Sequence, residues 1–328
     1  MVVYEDNQGG GVKVAQQNVI AVIWDFDKTL INGYMQEPIF KKYDVDPKKF
    51  WAEVNSLFSR YAEQGIKVNK DTIYLNHMIT CTAQGIFHGL NNELLGQLGK
   101  ELEFYPGAIE ILKELKDEVA SNPNYQSYGI HVEHYIVSTG LTAMIKGSAI
   151  SKLIEEDGIW GCEFIESPLQ SELGNPLEQG EKNIIQQPGY FIDNTSKTRA
   201  LFEINKGANK HDYIDVNSKM DAKTRRVPFE NMIYIADGPS DVPVFSVLKR
   251  YNGKTFAVYP KGDIKAFEQV DNLRKDGRID MYAEADYTKN TTAYLWLMNK
   301  VKEIANSIYE INEEEIIRSV RKAPTHLV

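Results

Sequence analysis

The sequence predicts an α/β protein: a doubly wound parallel sheet with a helical block inserted into it. Short strand-like apolar runs alternate with segments of helical periodicity, the pattern of strands covered by helices on both faces. The runs at 18–24, 131–137 and 232–236 each stop abruptly in a polar cluster: Asp25 and Asp27, Ser138, and Asp237 and Asp241. In open α/β sheets the carboxyl ends of the strands are where ligands bind. Three acid or hydroxyl clusters at three such ends are the strongest signal in the chain.

Residues 1–17 contain Glu5, Asp6 and three consecutive glycines and lack the basic and apolar regions of a secretory signal, so they read as a flexible leader. The first strand is 18–24. Beyond Thr29 the spacing turns helical, with three helices expected between 36 and 102. Asp46-Pro47 opens one that carries Phe50, Trp51, Val54, Leu57, Phe58 and Tyr61. The Asn69-Lys70-Asp71 segment caps the second, with Ile73, Tyr74, Met78 and Ile79, and Asn91 or Asn92 caps the third, with Leu94, Leu95 and Leu98. The stripe Trp51, Phe58 and Tyr61 is expected to form the interior of this block. Residues 33–104 are thus the helical insert, and 18–32 with 105–328 the sheet-bearing core.

Alternation then resumes. Pro106-Gly107 opens a helix with Ile109, Ile111, Leu112 and Leu115; the strand 131–137 follows, then a helix through Met144, Ile145, Ile150, Leu153 and Ile154. Between 159 and 195 short strands are expected at Phe164-Ile165 and Tyr190-Phe191-Ile192, flanking a polar loop. Thr195-Ser196 caps a helix through Leu201, Phe202 and Ile204 that stops at Gly207. Residues 208–226 show no periodicity and read as a long loop. Strands at 232–236 and 255–259, a long helix at 287–308 and a shorter one before the charged tail complete the chain.

The 328 residues carry a formal charge of −9, so there is no basic surplus of the kind that binds a nucleic-acid backbone, although one local phosphate pocket remains compatible with it. Cys81 and Cys162 lie far apart without metal-type spacing, which suits a reducing compartment. No stretch approaches the roughly 18 apolar residues of a membrane span. These features predict a cytoplasmic protein with no membrane or nucleic-acid partner; oligomeric state is not encoded legibly.

Asp25-Phe26-Asp27-Lys28-Thr29 carries the chemistry. Residues i and i+2 of an extended chain point the same way, so Asp25 and Asp27 face one ligand. The pair reads as a nucleophile with a proton donor, or as a metal site. The alternative is a helix cap or Asx turn leaving a strand. Asp241 has the same alternative, as a cap on the helix that follows it.

In this order along the chain, the clusters resemble the four signatures of the haloacid dehalogenase-like (HAD) hydrolase superfamily. The first is similar to residues 22–29, the second to Tyr135-Ile-Val-Ser138-Thr-Gly, and the fourth to Ile233-Tyr-Ile-Ala-Asp237-Gly-Pro-Ser-Asp241. Lys197 is the best match to the third, a lysine at a helix start, with Lys206 and Lys210 as fallbacks. The resemblance covers about residues 18–290 and implies a Rossmann-like sheet, with the insert at 33–104 in the position of a cap. The layout is most similar to the phosphoserine phosphatase-like branch.

What the resemblance implies is a Mg²⁺-dependent phosphatase acting on a small phosphorylated molecule. Asp25 is then the nucleophile that forms an aspartyl phosphate, and Asp27 the acid that protonates the leaving oxygen and later accepts a proton from water. For that task the Asp27 pKa must lie above the reference of about 3.9. Asp25, the Asp27 carbonyl and Asp237 are the implied Mg²⁺ ligands, with Asp241 either ligating or holding the groups around it. Ser138 and Lys197 are the implied phosphate-binding residues, and Thr29 shapes the turn after the strand or orients a catalytic carboxylate. Arg60, Lys67, His77, Gln84 and His88 are polar candidates on the insert. A phosphotransferase or mutase would use the same aspartyl-phosphate step; a dehalogenase would not need Asp27 or the metal carboxylates, and a P-type ATPase would need membrane spans. A non-catalytic binding protein of the same fold is the rival from a different class.

Overall fold

The computed structural model describes residues 17–173 and 183–321. Almost all of the expected leader, the middle of the 159–195 segment and the charged tail lie outside the described residues. In chain order the elements are β1 (Val19–Trp24), α1 (Glu37–Tyr43), α2 (Pro47–Glu63), α3 (Ile73–Ala83), α4 (Asn92–Gly99), α5 (Ala108–Ala120) and α6 (Pro123–Gln126). There follow β2 (His131–Leu141), α7 (Thr142–Gly147), β3 (Ile159–Ile165), β4 (Gln187–Tyr190) and α8 (Lys197–Lys206). The chain closes with β5 (Met232–Ala236), α9 (Val242–Arg250), β6 (Lys254–Tyr259), α10 (Ile264–Lys275), β7 (Met281–Glu284) and α11 (Thr292–Arg321).

Among the described residues the strands form a seven-stranded sheet in the order β4-β3-β2-β1-β5-β6-β7. Every neighbouring pair is parallel except β3 with β4, so the expected doubly wound sheet carries one antiparallel edge strand. The chain runs outward from β1 to β2 and β3, then returns to the other side of β1 at β5. That reversal makes the carboxyl end of β1 the topological switch point, where open α/β sheets bind ligands. All of β1 is buried, which explains its unbroken apolar sequence. Trp24 is in register with Ile136 of β2 and Ile235 of β5, so Asp25, Ser138 and Asp237 emerge within one residue of a common level.

Several boundaries differ from the sequence expectation. The helix expected through Ile154 ends at Gly147 and is followed by a single 3-10 turn at Ser151–Leu153. Ser148 turns the backbone into an extended conformation there, and α7 packs so closely on α4 that a Cβ on Gly147 would lie 1.9 Å from the Gly96 carbonyl oxygen. The two expected terminal helices are one continuous α11, and Tyr287 precedes it as a buried ring whose hydroxyl donates to the Thr29 carbonyl at 2.6 Å. α1, α10 and β7 have no counterpart in the sequence reading. α10 buries only Val270 and Leu273 among polar neighbours, and β7 is a four-residue strand at an edge, so neither has a strong apolar period. Within the insert Phe58 is 39% exposed under the Lys70 ammonium, so the expected interior stripe is correct for Trp51 and Tyr61, which pack partly buried, but not for Phe58. No helix among the described residues is long and apolar enough to cross a membrane.

Two core features have measurable consequences. α4 meets α7 backbone to backbone, since a Cβ on Gly99 would also lie 2.2 Å from the Met144 carbonyl oxygen. Gly99→Ala is therefore expected to destabilise the protein by about 1–3 kcal/mol; an unchanged denaturation midpoint would show that α4 moves freely off the core. His134 is fully buried, accepting at Nδ1 from the Trp24 indole at 3.2 Å and donating from Nε2 to the Leu112 carbonyl at 2.8 Å. Burial, aided by the charge of Lys116, lowers its pKa to about 3. Between that value and the ordinary one near 6.5 only the unfolded chain takes up the proton, so stability is full above the upper limit and falls as pH drops through the window. The stability advantage of the native chain over His134→Gln should shrink by about 2 kcal/mol between about pH 7.5 and about pH 5.

Candidate active site

Asp25 leaves β1 with its backbone N–H still bonded to the Ile235 carbonyl at 2.8 Å, so the β1–β5 ladder fixes its position. Its carboxylate is met by Lys197. The Lys197 ammonium is 1% exposed and donates to Asp25 Oδ1 at 2.8 Å and to Asp241 Oδ1 at 2.7 Å. A lysine at the start of a helix opposes the helix dipole, and the two carboxylates outweigh that cost. The turn before α8 is built to hold it there. Asp193 Oδ1 accepts from the backbone N–H groups of Thr195 and Ser196 at 3.0 and 2.6 Å, and Ser196 Oγ accepts from Asp193 N–H at 2.7 Å. The fallback lysines lie elsewhere: Lys206 donates to the carbonyls of Val216 and Ser218, and Lys210 to that of Glu156.

Asp237 follows β5 directly, and Gly238, at φ +154°, bends the chain into the 3-10 turn Pro239–Asp241. Asp241 stands at the N-cap of α9, just before Val242, but its side chain makes no capping bond there. Its Oδ1 accepts from Lys197 and from the Tyr234 hydroxyl at 2.6 Å, and its Oδ2 from the Ser240 hydroxyl at 2.7 Å. The capping alternative is therefore set aside. Asp27 accepts the Met35 backbone N–H at 3.0 Å.

Ser138 is buried at the end of β2, where the β2–β3 register shifts between Val137 and Leu141. Ser138 Oγ accepts from Gly140 N–H at 3.0 Å, which leaves its own O–H free to donate. Met35 packs directly over Gly140: a Cβ there would lie 2.1 Å from the Met35 methyl group, which would have to move. Of the polar candidates on the insert, His77 pairs with Glu53 at 3.1 Å and the His88 ring packs edge-on to Tyr43, so both serve the insert itself.

The electrostatics follow from burying acids together. Desolvation raises the Asp25 pKa well above the ordinary carboxylate range, with Lys197 opposing. Desolvation raises Asp27 to about 7 against the pull of the Met35 N–H, and raises Asp237 to about 6 with help from Asp241. Burial opposes the Lys197 charge, but Asp241 and Asp25 hold its pKa above that of an ordinary lysine.

Four residues near these groups carry no motif signal of their own. Lys28, at φ +55°, donates to the Tyr34 hydroxyl at 2.7 Å with its ammonium 4.2 Å from that ring's centroid. Burial disfavours its charge, but the Tyr34 hydroxyl, Asp237 and Asp27 outweigh this and raise its pKa. Met35 both supports Asp27 and fills the space over Gly140, its Sδ accepting from Leu141 N–H at 2.9 Å. Tyr74 of α3 donates to the Thr139 carbonyl at 2.7 Å. Only their nearness in sequence to Asp27, for the first three, was available to find them.

Asp25, Asp237 and Asp241 each offer an oxygen within 4.8 Å of the others. An all-oxygen donor set with surplus negative charge suits a hard divalent cation, and opposite ligands of Mg²⁺ lie about 4.2 Å apart, so a small contraction closes the site. Asp241 accepts three hydrogen bonds over its two oxygens, whereas Asp25 Oδ2 meets only the Thr29 hydroxyl at 3.5 Å, so Asp241 fits best as the one that holds Lys197. The donors present fit Mg²⁺.

No family model matches the chain. A protein of Borreliella burgdorferi described as uncharacterized is 38% identical over 291 residues, spanning 87% of this chain and 98% of its own. The chain belongs to that protein's family. Among solved structures, a HAD family hydrolase from Salmonella enterica serovar Typhi is similar at TM-score 0.46 and 14% identity, over 81% of this chain and 67% of that one. A substrate-bound phosphoserine phosphatase complex gives 0.42 and 17%, over 80% and 91%. Cytosolic 5'-nucleotidase IIIB bound to cytidine gives 0.42 and 13%, over 91% and 88%. These likenesses are too distant to carry an inference about activity, which has to come from the side chains themselves.

One consequence of the buried acids is testable without any substrate. Asp237 is costly to keep ionised: its penalty is absent below the ordinary pKa near 3.8 and complete above the folded value of about 6. In metal-chelated buffer, Asp237→Asn is expected to raise the unfolding free energy at about pH 8 by about 1–3 kcal/mol, the gain fading toward about pH 4. A gain that grows as pH falls would contradict this account of the site.

Proposed function

We propose that the protein is a Mg²⁺-dependent phosphatase of the HAD-like kind, hydrolysing a small phosphate monoester through an aspartyl phosphate on Asp25. The observation that carries the reading is the Lys197 ammonium shared between Asp25 and Asp241, which unites the strand end, the helix start and the acidic loop named by the motif resemblance. Asp25 attacks phosphorus and the bond to the ester oxygen breaks. Asp27, whose pKa of about 7 leaves it protonated in part at neutral pH, gives that oxygen its proton. Water then attacks the aspartyl phosphate while Asp27 takes up a proton, releasing inorganic phosphate and restoring Asp25. Lys197 offsets the negative charge on Asp25 and the phosphoryl group, and the free Ser138 O–H donates to a phosphoryl oxygen. Asp25, the Asp27 carbonyl and Asp237 would hold Mg²⁺, which supplies further charge neutralisation where two anions must meet.

The helical insert at 33–104 is proposed as the cap over this chemistry. Asp25, Ser138 and Lys197 are all buried beneath the described chain, and Tyr74 bonds the insert to the Ser138 loop. Its polar contacts on that side are ones that opening can break, whereas α4 is seated on α7 through glycines. The mobile part is therefore α1 to α3, and closure excludes water from the aspartyl phosphate until Asp27 is ready.

Hydrolysis of an aryl phosphate should require Mg²⁺ and disappear in Asp25→Asn; turnover surviving that change would remove Asp25 as the nucleophile. Asp27→Asn should cost about 10²–10⁴-fold on an alkyl phosphate and less on an aryl phosphate, whose leaving oxygen needs no proton. Equal losses on the two substrates would argue against Asp27 as the acid.

A further inference from the structure

Lys197 spends two of its three N–H donors on Asp25 and Asp241, which leaves one for a phosphate that enters among Asp25, Asp27 and Asp237. Lys28 is placed to meet it. It directly follows Asp27, is only partly buried, and its charge acts on both Asp27 and Asp237. Two features set it apart from an ordinary surface lysine. Its backbone takes φ +55°, a left-handed conformation that costs a residue with a side chain about 1–2 kcal/mol. Its long side chain is also ordered, held by the Tyr34 hydroxyl at 2.7 Å and lying 4.2 Å from the centroid of the same ring. Ordering a lysine sacrifices up to about 2 kcal/mol of rotamer freedom. Strain and ordering persist together where the geometry serves a site.

We propose that Lys28 is a second phosphate-binding cation, held by Tyr34 beside Asp27 to receive the substrate's phosphate from the solvent side while Lys197 serves the nucleophile from below. This rests on the phosphatase reading of the same site. The turn explains the backbone cost: Lys28 N–H donates to the Gly33 carbonyl at 3.0 Å, a loop closure that brings Tyr34 over the lysine and Met35 onto Asp27. The loop thus couples the proton donor and the cation in one turn. A cation acting in binding favours dianionic monoesters over monoanionic diesters, which gives the site a charge-based selectivity.

The test is calorimetric binding of inorganic phosphate to the full-length protein in Mg²⁺, which needs no turnover, alongside aryl phosphate kinetics. Lys28→Gln should weaken phosphate binding about tenfold, equivalent to about 1.4 kcal/mol, and should raise KM more than it lowers kcat. Lys28→Arg should restore most of the affinity, and Tyr34→Phe, which frees the ammonium but keeps the ring, should fall between. Unchanged phosphate affinity in Lys28→Gln, no phosphate binding by the native protein, or a loss that Arg fails to rescue would each overturn the proposal. Failure of the phosphatase reading is a separate result, seen as native protein that binds phosphate through Lys28 but hydrolyses no ester.

Discussion

The Lys197 ammonium touches carboxylates that leave two different strands, and it does so with almost no exposure to water. An unpaired charge at such a depth costs several kcal/mol, and removing one member of a buried pair typically costs about 3–5 kcal/mol. The surrounding chain therefore has to deliver all three groups to one place. β1 and β5 must be neighbours, α8 must start beside them, and the Tyr234 hydroxyl must take part of the charge of Asp241. Even then one ammonium does not balance the acids around it. Burial raises the carboxylate pKa values, the neighbouring acids add to the rise at Asp25 and Asp237, and the residual negative charge makes a place for a divalent cation.

What was legible in the sequence was the set of groups that β-strand geometry alone delivers. Asp25, Ser138 and Asp237 are each found by following an apolar run to its end, and a parallel register does the rest. Lys197 was legible for a different reason, as a lysine preceded by capping residues. The supporting groups were not, because their roles depend on loop closure. Nothing in the local pattern of Tyr34 or Met35 announces that the chain after Asp27 folds back to place one against Lys28 and the other against Asp27. Edge elements were lost for a simpler reason: β7 and α10 bury too little apolar surface to leave a period in the sequence.

The insert is attached to the core in two physically different ways. At α4 the contact with α7 is backbone against backbone, possible only because Gly99 and Gly147 lack side chains. Close packing of this kind has no intermediate state, since a small separation forfeits most of its dispersion energy. At the other end the apolar packing of Met35 over Gly140 is joined by single hydrogen bonds between polar groups: Tyr74 to Thr139, Asn69 to Asp193 at 3.0 Å, and Asn194 N–H to Asp71 at 3.3 Å. Water replaces such bonds at a net cost of only about 1 kcal/mol each. The opening proposed above would start at the hydrogen-bonded side.

That asymmetry bears on how a closed site admits an anion. Two of the breakable contacts fall on Asp193 and Asn194, in the turn that positions Lys197, and the third falls on Thr139, beside Ser138. The turn at Asp193 keeps its own bonds to Thr195 and Ser196 whether or not Asn69 is present, so opening need not dislodge Lys197. The Thr139 carbonyl has fewer alternatives: besides Tyr74 it is approached by the Cys162 thiol at 3.4 Å, a weak donor. On the closure proposed above, the insert would add a strong donor beside Ser138 at the end of β2 while leaving the Lys197 turn nearly as it was. Under the proposed mechanism the cation beside Asp25 would be permanent, and the phosphate-binding end of β2 would be completed only by the closed insert.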